Sequence, residues 1–364
     1  MQKKLIALAV AGLVSVPAFA QSNVTIYGIV DMGYKYQGDN VNSSVKNRNA
    51  IDSGISGGSR IGFKGTEDLG NGLKAGFVLE QGILADTGTS DQSGRTFGRQ
   101  SFVSLSGGFG TVAAGRQYTP AHAILAGNID PFGLGKATAG SIANFYISEA
   151  RLDNLLAYVS PTWGGFNFVA GYTFNASGNE QSPKLGGTSA TDVRAWTIAP
   201  TYKNGPIYLA ANYHKLDPLE SGEPSTKVWD LAGTYDFGVA KLGAVYGQRK
   251  VDDVKVKQWA LTGAVPVGAA GKVQASYGQR KVDADGAEPK VSQWALGYEH
   301  ALSKRTALYA AYAQQNQNRE QEAISRGDFG SDAKALFGAG IGDASDSGAA
   351  GYQRGFNLGV RHSF

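Results

Sequence analysis

The sequence predicts an all-β fold, an antiparallel barrel of sixteen strands that crosses a membrane. Three observations predict it. Segments of about ten residues alternate apolar and polar side chains. The connections between them alternate between tight turns and long polar loops. No stretch after residue 20 stays apolar for the roughly 18 residues that a helical span needs. A closed barrel crosses lipid without such runs, because every second side chain turns inward and the backbone pairs in a ring.

Residues 1–20 read as a secretory signal peptide and 21–364 as the barrel. Lys3 and Lys4 form a positive start, Leu5 to Val16 an apolar stretch, and Ala18-Phe19-Ala20 a small-x-small cleavage site before Gln21. Without the two leader lysines the chain carries 32 basic and 30 acidic side chains. Neither that balance nor any basic-aromatic run supports nucleic-acid binding. There is no cysteine, so backbone pairing and packing hold the secreted chain together. Glycine, at 51 residues, has about twice its usual share.

The alternation is clearest at the two ends. Val24, Ile26, Val30 and Met32 share one face of the first strand, against Thr25 and Asp31. Phe356, Leu358, Val360, His362 and Phe364 share one face of the last, against Asn357, Gly359, Arg361 and Ser363. Between them the pattern gives sixteen strands, near 24–36, 59–67, 72–83, 97–106, 111–117, 151–160, 166–174, 191–201, 207–215, 226–236, 240–250, 256–266, 271–281, 291–299, 306–316 and 354–364. Tight turns fall at sites such as Leu69-Gly70-Asn71, Asn204-Gly205-Pro206 and Phe237-Gly238; long loops include 37–58, 118–150 and 317–353. Sixteen strands leave room for an aqueous lumen.

A hairpin echo lies in the second half. Tyr246-Gly-Gln-Arg-Lys-Val-Asp252 recurs as Tyr277-Gly-Gln-Arg-Lys-Val-Asp283, and Gln258-Trp-Ala-Leu261 as Gln293-Trp-Ala-Leu296. Growth by whole hairpins keeps the strand count even. Pairs such as Tyr34 and Tyr36, Tyr172 and Phe174, Tyr208 and Tyr213, and Tyr309 and Tyr312 sit near strand ends, where two interfacial aromatic belts are expected.

Parity assigns the lumen. Ile61 and Phe63 mark the lipid face of the second strand, which turns Arg60, Gly62, Lys64 and Thr66 inward. Phe102 as a lipid marker turns Arg99 inward, although Val103 and Leu105 share the parity of Arg99. Leu156 and Tyr158 outward leave Arg151 and Asp153 inside. Arg116, on the parity of Val112 and Ala114, faces outward toward a subunit interface. The loop 118–150 is too long for an ordinary connection. Its Ile124, Leu125, Ile129, Phe132, Leu134, Ile142, Phe145 and Tyr146 suit packing on the wall. Asp130 is its clearest acidic candidate and Glu149 a second.

The motifs Ser59-Arg-Ile-Gly-Phe-Lys-Gly-Thr-Glu-Asp-Leu-Gly-Asn-Gly-Leu-Lys74 and Phe97-Gly-Arg-Gln-Ser-Phe-Val-Ser-Leu-Ser-Gly-Gly-Phe-Gly-Thr-Val112, with Gly115-Arg-Gln117, Asp130-Pro-Phe-Gly133 and Gly359-Val-Arg-His-Ser-Phe364, resemble the Gram-negative general diffusion porins of the beta-proteobacterial type. The resemblance spans essentially the whole mature chain. It implies a homotrimeric, water-filled channel in the outer membrane with its long third loop folded into the lumen. It implies passive diffusion of small hydrophilic solutes and inorganic anions, with Arg60, Arg99 and Arg151 at the constriction. Together with Asp130, Lys64 and Glu149 these form the candidate filter. It also implies that the strand ending in Phe364 is read by the outer-membrane insertion machinery.

Other readings keep the fold and give the barrel a different role. One is a substrate-selective channel for small organic acids. Another is a barrel serving adhesion through loops 37–58 and 317–353. Saturation by one solute separates the first from a general pore, and absence of conductance steps marks the second. An enzyme has little support. Gly54-Ile-Ser-Gly-Gly58 fits a nucleophile-elbow pattern but is followed by no helix. His122, His214, His300 and His362 are scattered without metal-ligand spacing, and no cofactor motif is present.

Overall fold

The strand-forming alternation closes into a single barrel in a computed structural model, which describes residues 23–41, 46–133, 142, 147–176, 192–219, 222–283, 287–326 and 352–364. The leader, most of the 317–353 loop, and Leu134, Phe145 and Tyr146 lie outside the described residues. The strands are β1 (Asn23–Gly38), β2 (Arg48–Ser53), β3 (Arg60–Gly70), β4 (Leu73–Leu84), β5 (Thr89–Ser90), β6 (Gln100–Gly107), β7 (Gly110–Tyr118), β8 (Arg151–Val159), β9 (Phe166–Thr173), β10 (Val193–Asn204), β11 (Ile207–Pro218), β12 (Thr226–Asp236), β13 (Lys241–Val251), β14 (Val254–Val267), β15 (Gly271–Asp283), β16 (Lys290–Ala301), β17 (Thr306–Gln317) and β18 (Arg354–Ser363). β2 and β5 are short additions; the other sixteen form the wall, and each overlaps one of the strands expected from the sequence.

Every wall strand pairs antiparallel with the next. β18 returns to β1, in register from Ile29 opposite Ser363 to Gly38 opposite Arg354. The seam finishes at the last residue: Phe364 and Gly28 exchange both backbone hydrogen bonds at 3.1 Å. The Phe364 ring lies where a Cβ on residue 28 would stand, so that position takes glycine. Closure leaves no open sheet edge in the lipid.

Inside and outside separate as alternation requires. On β16, Trp294, Leu296 and Tyr298 are exposed on the outer face, while Val291, Gln293 and Ala295 are buried. β18 follows its predicted faces, with Leu358, Val360 and Phe364 exposed and Asn357 buried. The same rule corrects β6. Val103 and Leu105 are 59 % and 40 % exposed, so they mark its lipid face and Phe102 lies on the other. The aromatic reading also needs correction at Tyr309, which is buried and donates to Asp31.

The predicted loop 37–58 contains β2, which continues the pairing along β1 beyond β3. Between β2 and β3 the chain leaves the ladder. Ser56 and Gly57 N–H groups donate to Asp31 Oδ2 at 3.0 and 2.7 Å, and Ile55 is wholly buried against Tyr309. The elbow-like motif is therefore a bent segment tied to the wall between two strands.

The segment after β7 begins with a short helix, Pro120–Ile124, capped by the Thr119 hydroxyl on the His122 N–H. A π-turn, Leu125–Ile129, follows. Ile124, Leu125, Ile129 and Ile142 pack against Ala199, Ala210, Val245 and Ala260, which lie on the buried parity of their strands. Small wall residues leave space for these large ones, and each buried Leu or Ile contributes about 2 kcal/mol. Thr262 Oγ1 donates to the Ile129 carbonyl at 2.7 Å, and Gln274 donates to that of Pro131. Phe132 packs on Ala295, Ala311 and Ala313.

Candidate functional site

Three arginines from three different strand ends gather around one tyrosine. Arg99 Nη2 and Arg151 Nη2 both donate to Tyr118 Oη, at 2.5 and 2.9 Å. The Arg151 guanidinium also lies 4.4 Å from the Tyr118 ring centroid. Arg151 Nε donates to the Arg99 carbonyl at 3.0 Å, which ties β8 to the start of β6. Arg60 donates to the Gly58 carbonyl at 2.8 Å and so is aimed by the bent segment before β3.

One carboxylate balances the group. Glu80 of β4 accepts from Arg99 Nε at 2.7 Å, lies 4.0 Å from Arg60, and accepts from Tyr27 Oη at 2.9 Å. The Arg99 side chain is 7 % exposed and that of Arg60 is 21 % exposed. Arg99 therefore acts mainly through its field, and Arg60 keeps contact with water. Three cations against one anion leave a net positive site.

Arg99 reaches this place for a reason that strand parity did not supply. It sits one residue before β6 begins, where its N–H still donates to the Glu80 carbonyl of β4 at 3.2 Å. Lys64 shares the face of Arg60 but lies over the Tyr27 ring, 5.1 Å from its centroid, and does not join the three arginines. Asp130 accepts from the Phe132 N–H at 3.0 Å and shapes the turn. Glu149 binds elsewhere on the wall, to His214 Nε2 at 2.9 Å and Arg249 Nη1 at 3.0 Å. Burial alone raises its carboxyl, but these two partners more than offset that and hold it below the ordinary range.

Asp153 does not join the arginine group either. It is bound by Arg95 at 2.8 Å and by Arg116. Arg116 also donates to the Gly98 carbonyl at 2.7 Å.

Sequence reasoning missed Glu80, Tyr118, Tyr27 and His122. Glu80 had a usable signal: a lone acid beside Phe77 and Leu79 in a membrane strand has to face inward and find a cation. Tyr118 and His122 had none, since their rings stack at 4.7 Å only after the chain turns beyond β7. Burial, then the charges of Arg151, Arg99 and Arg60, pushes the His122 imidazole down to about 3. It is neutral at ordinary pH, so its ring adds packing and no charge.

A family model described as Gram-negative porin matches residues 7–320. The chain belongs to the Gram-negative porins. This porin is 37 % identical to outer membrane porin protein 32 of Delftia acidovorans, over the full length of both chains. Its fold is similar to that of an anion-selective porin from Comamonas acidovorans, with a TM-score of 0.74 and 31 % identity, covering 94 % of this chain and all of that one. An in-vitro folded trimer form of OmpT from Vibrio cholerae shares the fold at a TM-score of 0.66 and 16 % identity, over 94 % and 99 % of the two chains. The porin is thus a multi-pass protein of the bacterial outer membrane.

Proposed function

We propose that this porin passes small hydrophilic solutes by passive diffusion and prefers anions, with Arg60, Arg99 and Arg151 as its filter. The arginine group around Tyr118, opposed among the described residues only by Glu80, carries the reading. Guanidinium is suited to it because it stays charged beside other cations. The segment Pro120–Phe132, held to inward-facing wall residues, folds into the lumen as the third loop and narrows it. Asp130 and Glu149 hold that loop in place, and Lys64 adds positive charge toward the tight-turn end.

The anion-selective porin of similar fold supports the sign of the preference. A homotrimer is supported by the trimer form of the OmpT fold. Residues 1–20 serve as the export signal, and the strand ending in Phe364 as the signal for insertion.

The test is the reversal potential across a planar bilayer in a salt gradient. Wild type is expected to favour chloride over potassium. Arg151→Gln removes one charge, keeps a hydrogen-bond donor for Tyr118, and lowers the permeability ratio by a factor of about five. An unchanged ratio in both Arg151→Gln and Arg60→Gln would show that the filter lies elsewhere.

A further inference from the structure

The bent segment from Gly54 to Ser59 does more than join β2 to β3. Its Gly58 carbonyl accepts from Arg60 Nε at 2.8 Å. A Cβ on Gly58 would stand 2.8 Å from Arg99 Nη1, so that guanidinium packs against bare backbone. The Ser56 hydroxyl accepts from Arg361 Nη1 at 2.7 Å, and Arg361 is paired with Glu299 at 3.0 Å. The segment also meets the end of the run that follows β7. That run contacts wall residues of β10, β11 and β13 to β17 in turn. Gly133, with φ at +77°, then comes beside Ser56, whose carbonyl oxygen would lie 3.3 Å from a Cβ there. Run and bent segment together line the wall from β10 round to β3.

Asp31 of β1 holds the bent segment. Its Oδ2 takes the Ser56 and Gly57 N–H groups at 3.0 and 2.7 Å, and its Oδ1 takes the Tyr309 hydroxyl. Its carbonyl accepts from the Gly54 N–H at 2.8 Å and from the Ser59 hydroxyl at 3.1 Å. Bonds to a charged oxygen are about twice as strong as neutral ones, which suits a segment that has left the ladder. Ile55 completes the hold by packing, wholly buried, beside Tyr309 and Gly33.

We propose that the bent segment is a second element of the constriction, and that Asp31 is its positioning residue: by fixing Ser56 and Gly57 it sets where the guanidiniums of Arg60 and Arg99 point. The proposal rests on the reading of those arginines as the filter. Arginine side chains are long and flexible, so their field in the pore is only as definite as the groups that hold them. Here backbone does the holding, and one carboxylate on the neighbouring strand holds the backbone.

Asp31→Asn and Asp31→Ala remove the same charge, so the difference between them isolates the hold on the segment. Asparagine keeps an oxygen for the two N–H groups and turns its NH2 to the Tyr309 oxygen; alanine offers neither. The readout is the chloride-to-potassium permeability ratio from reversal potentials, with heat-resistant gel mobility followed in parallel. Asp31→Asn is expected to keep a ratio at or above that of wild type. Asp31→Ala is expected to fall about threefold below Asp31→Asn, the effect of a guanidinium drawing back from about 5 to about 8 Å from a passing ion in wet surroundings. Ile55→Ala changes no charge and loosens the same segment, so it also lowers the ratio, while Ile55→Val stays at the wild-type value. Equal ratios in the two Asp31 variants, with only the gel midpoint lowered in Asp31→Ala, would make Asp31 a structural anchor and overturn the proposal. If Asp31→Ala does not insert as a folded barrel, an unchanged ratio in Ile55→Ala overturns it alone. Arg60→Gln in the same bilayers separates two failures. Where it lowers the ratio and the Asp31 pair does not differ, the positioning role is lost and the filter stands. Where it too has no effect, the filter reading itself has failed.

Discussion

Glu80 sits among three guanidiniums and, in the proposed filter, sets how much of their charge a passing ion feels. Its carboxylate is nearly buried and bonded to Arg99 and Tyr27, so it cannot swing away. Substituting Glu80→Gln keeps an acceptor for Arg99 and removes the only opposing charge that the described residues bring to the group. Anion preference in the reversal-potential measurement is therefore expected to rise, by about the factor that Arg151→Gln lowers it. A fall would mean that Glu80 serves mainly to hold Arg99 in place. His122 offers a contrast at the same scale. Its neighbours are cations and its ring is half-buried, so it stays neutral and its stacking on Tyr118 is what matters.

At the scale of elements, the segment after β7 stays where it is because the wall opposite is built from small residues. Gly297 on β16 shows the tolerance: a Cβ there would come within 2.6 Å of the Phe132 ring and 3.1 Å of the Ala310 carbonyl. Gly297→Ala therefore forces the ring out of its seat, with an overpacking cost of about 1–3 kcal/mol. The expected consequence is a larger and noisier single-channel conductance, as the Asp130–Gly133 turn loosens. Unaltered conductance with an intact barrel would mean that this turn does not set the pore's width. Parity along a strand was readable from the sequence for β1 and β18. It failed at β6, where Phe102 gave a false marker and Arg99 lay just before the strand.

At the scale of the molecule, closure is the step on which everything else depends. The β1–β18 seam ends in the paired hydrogen bonds of Gly28 and Phe364, with the terminal ring lying over the glycine. Deleting Phe364 removes both bonds and the ring. The truncated porin is expected to lose its folded, heat-resistant gel mobility at a lower temperature than wild type. If the midpoint does not move, the seam is secured higher up, between Gly33 and Gly38.

The order of strands, the faces of the first and the last, and the need for an inward-turned set of charges were legible in the sequence, because a period of two and a loop-length rhythm are local properties of the chain. Parity turned Arg60 and Arg151 inward, and the family resemblance pointed to Arg99 where parity rested on a false marker. Which cations share one tyrosine, which carboxylate faces them, and that Asp130 and Glu149 spend their charge on anchoring were decided only by the tertiary structure. Those partners are separated by up to about a hundred residues, as Glu149 and Arg249 are. They meet because a closed wall brings strands from opposite ends of the sequence to one perimeter, and no local pattern records which side chains then fall within reach.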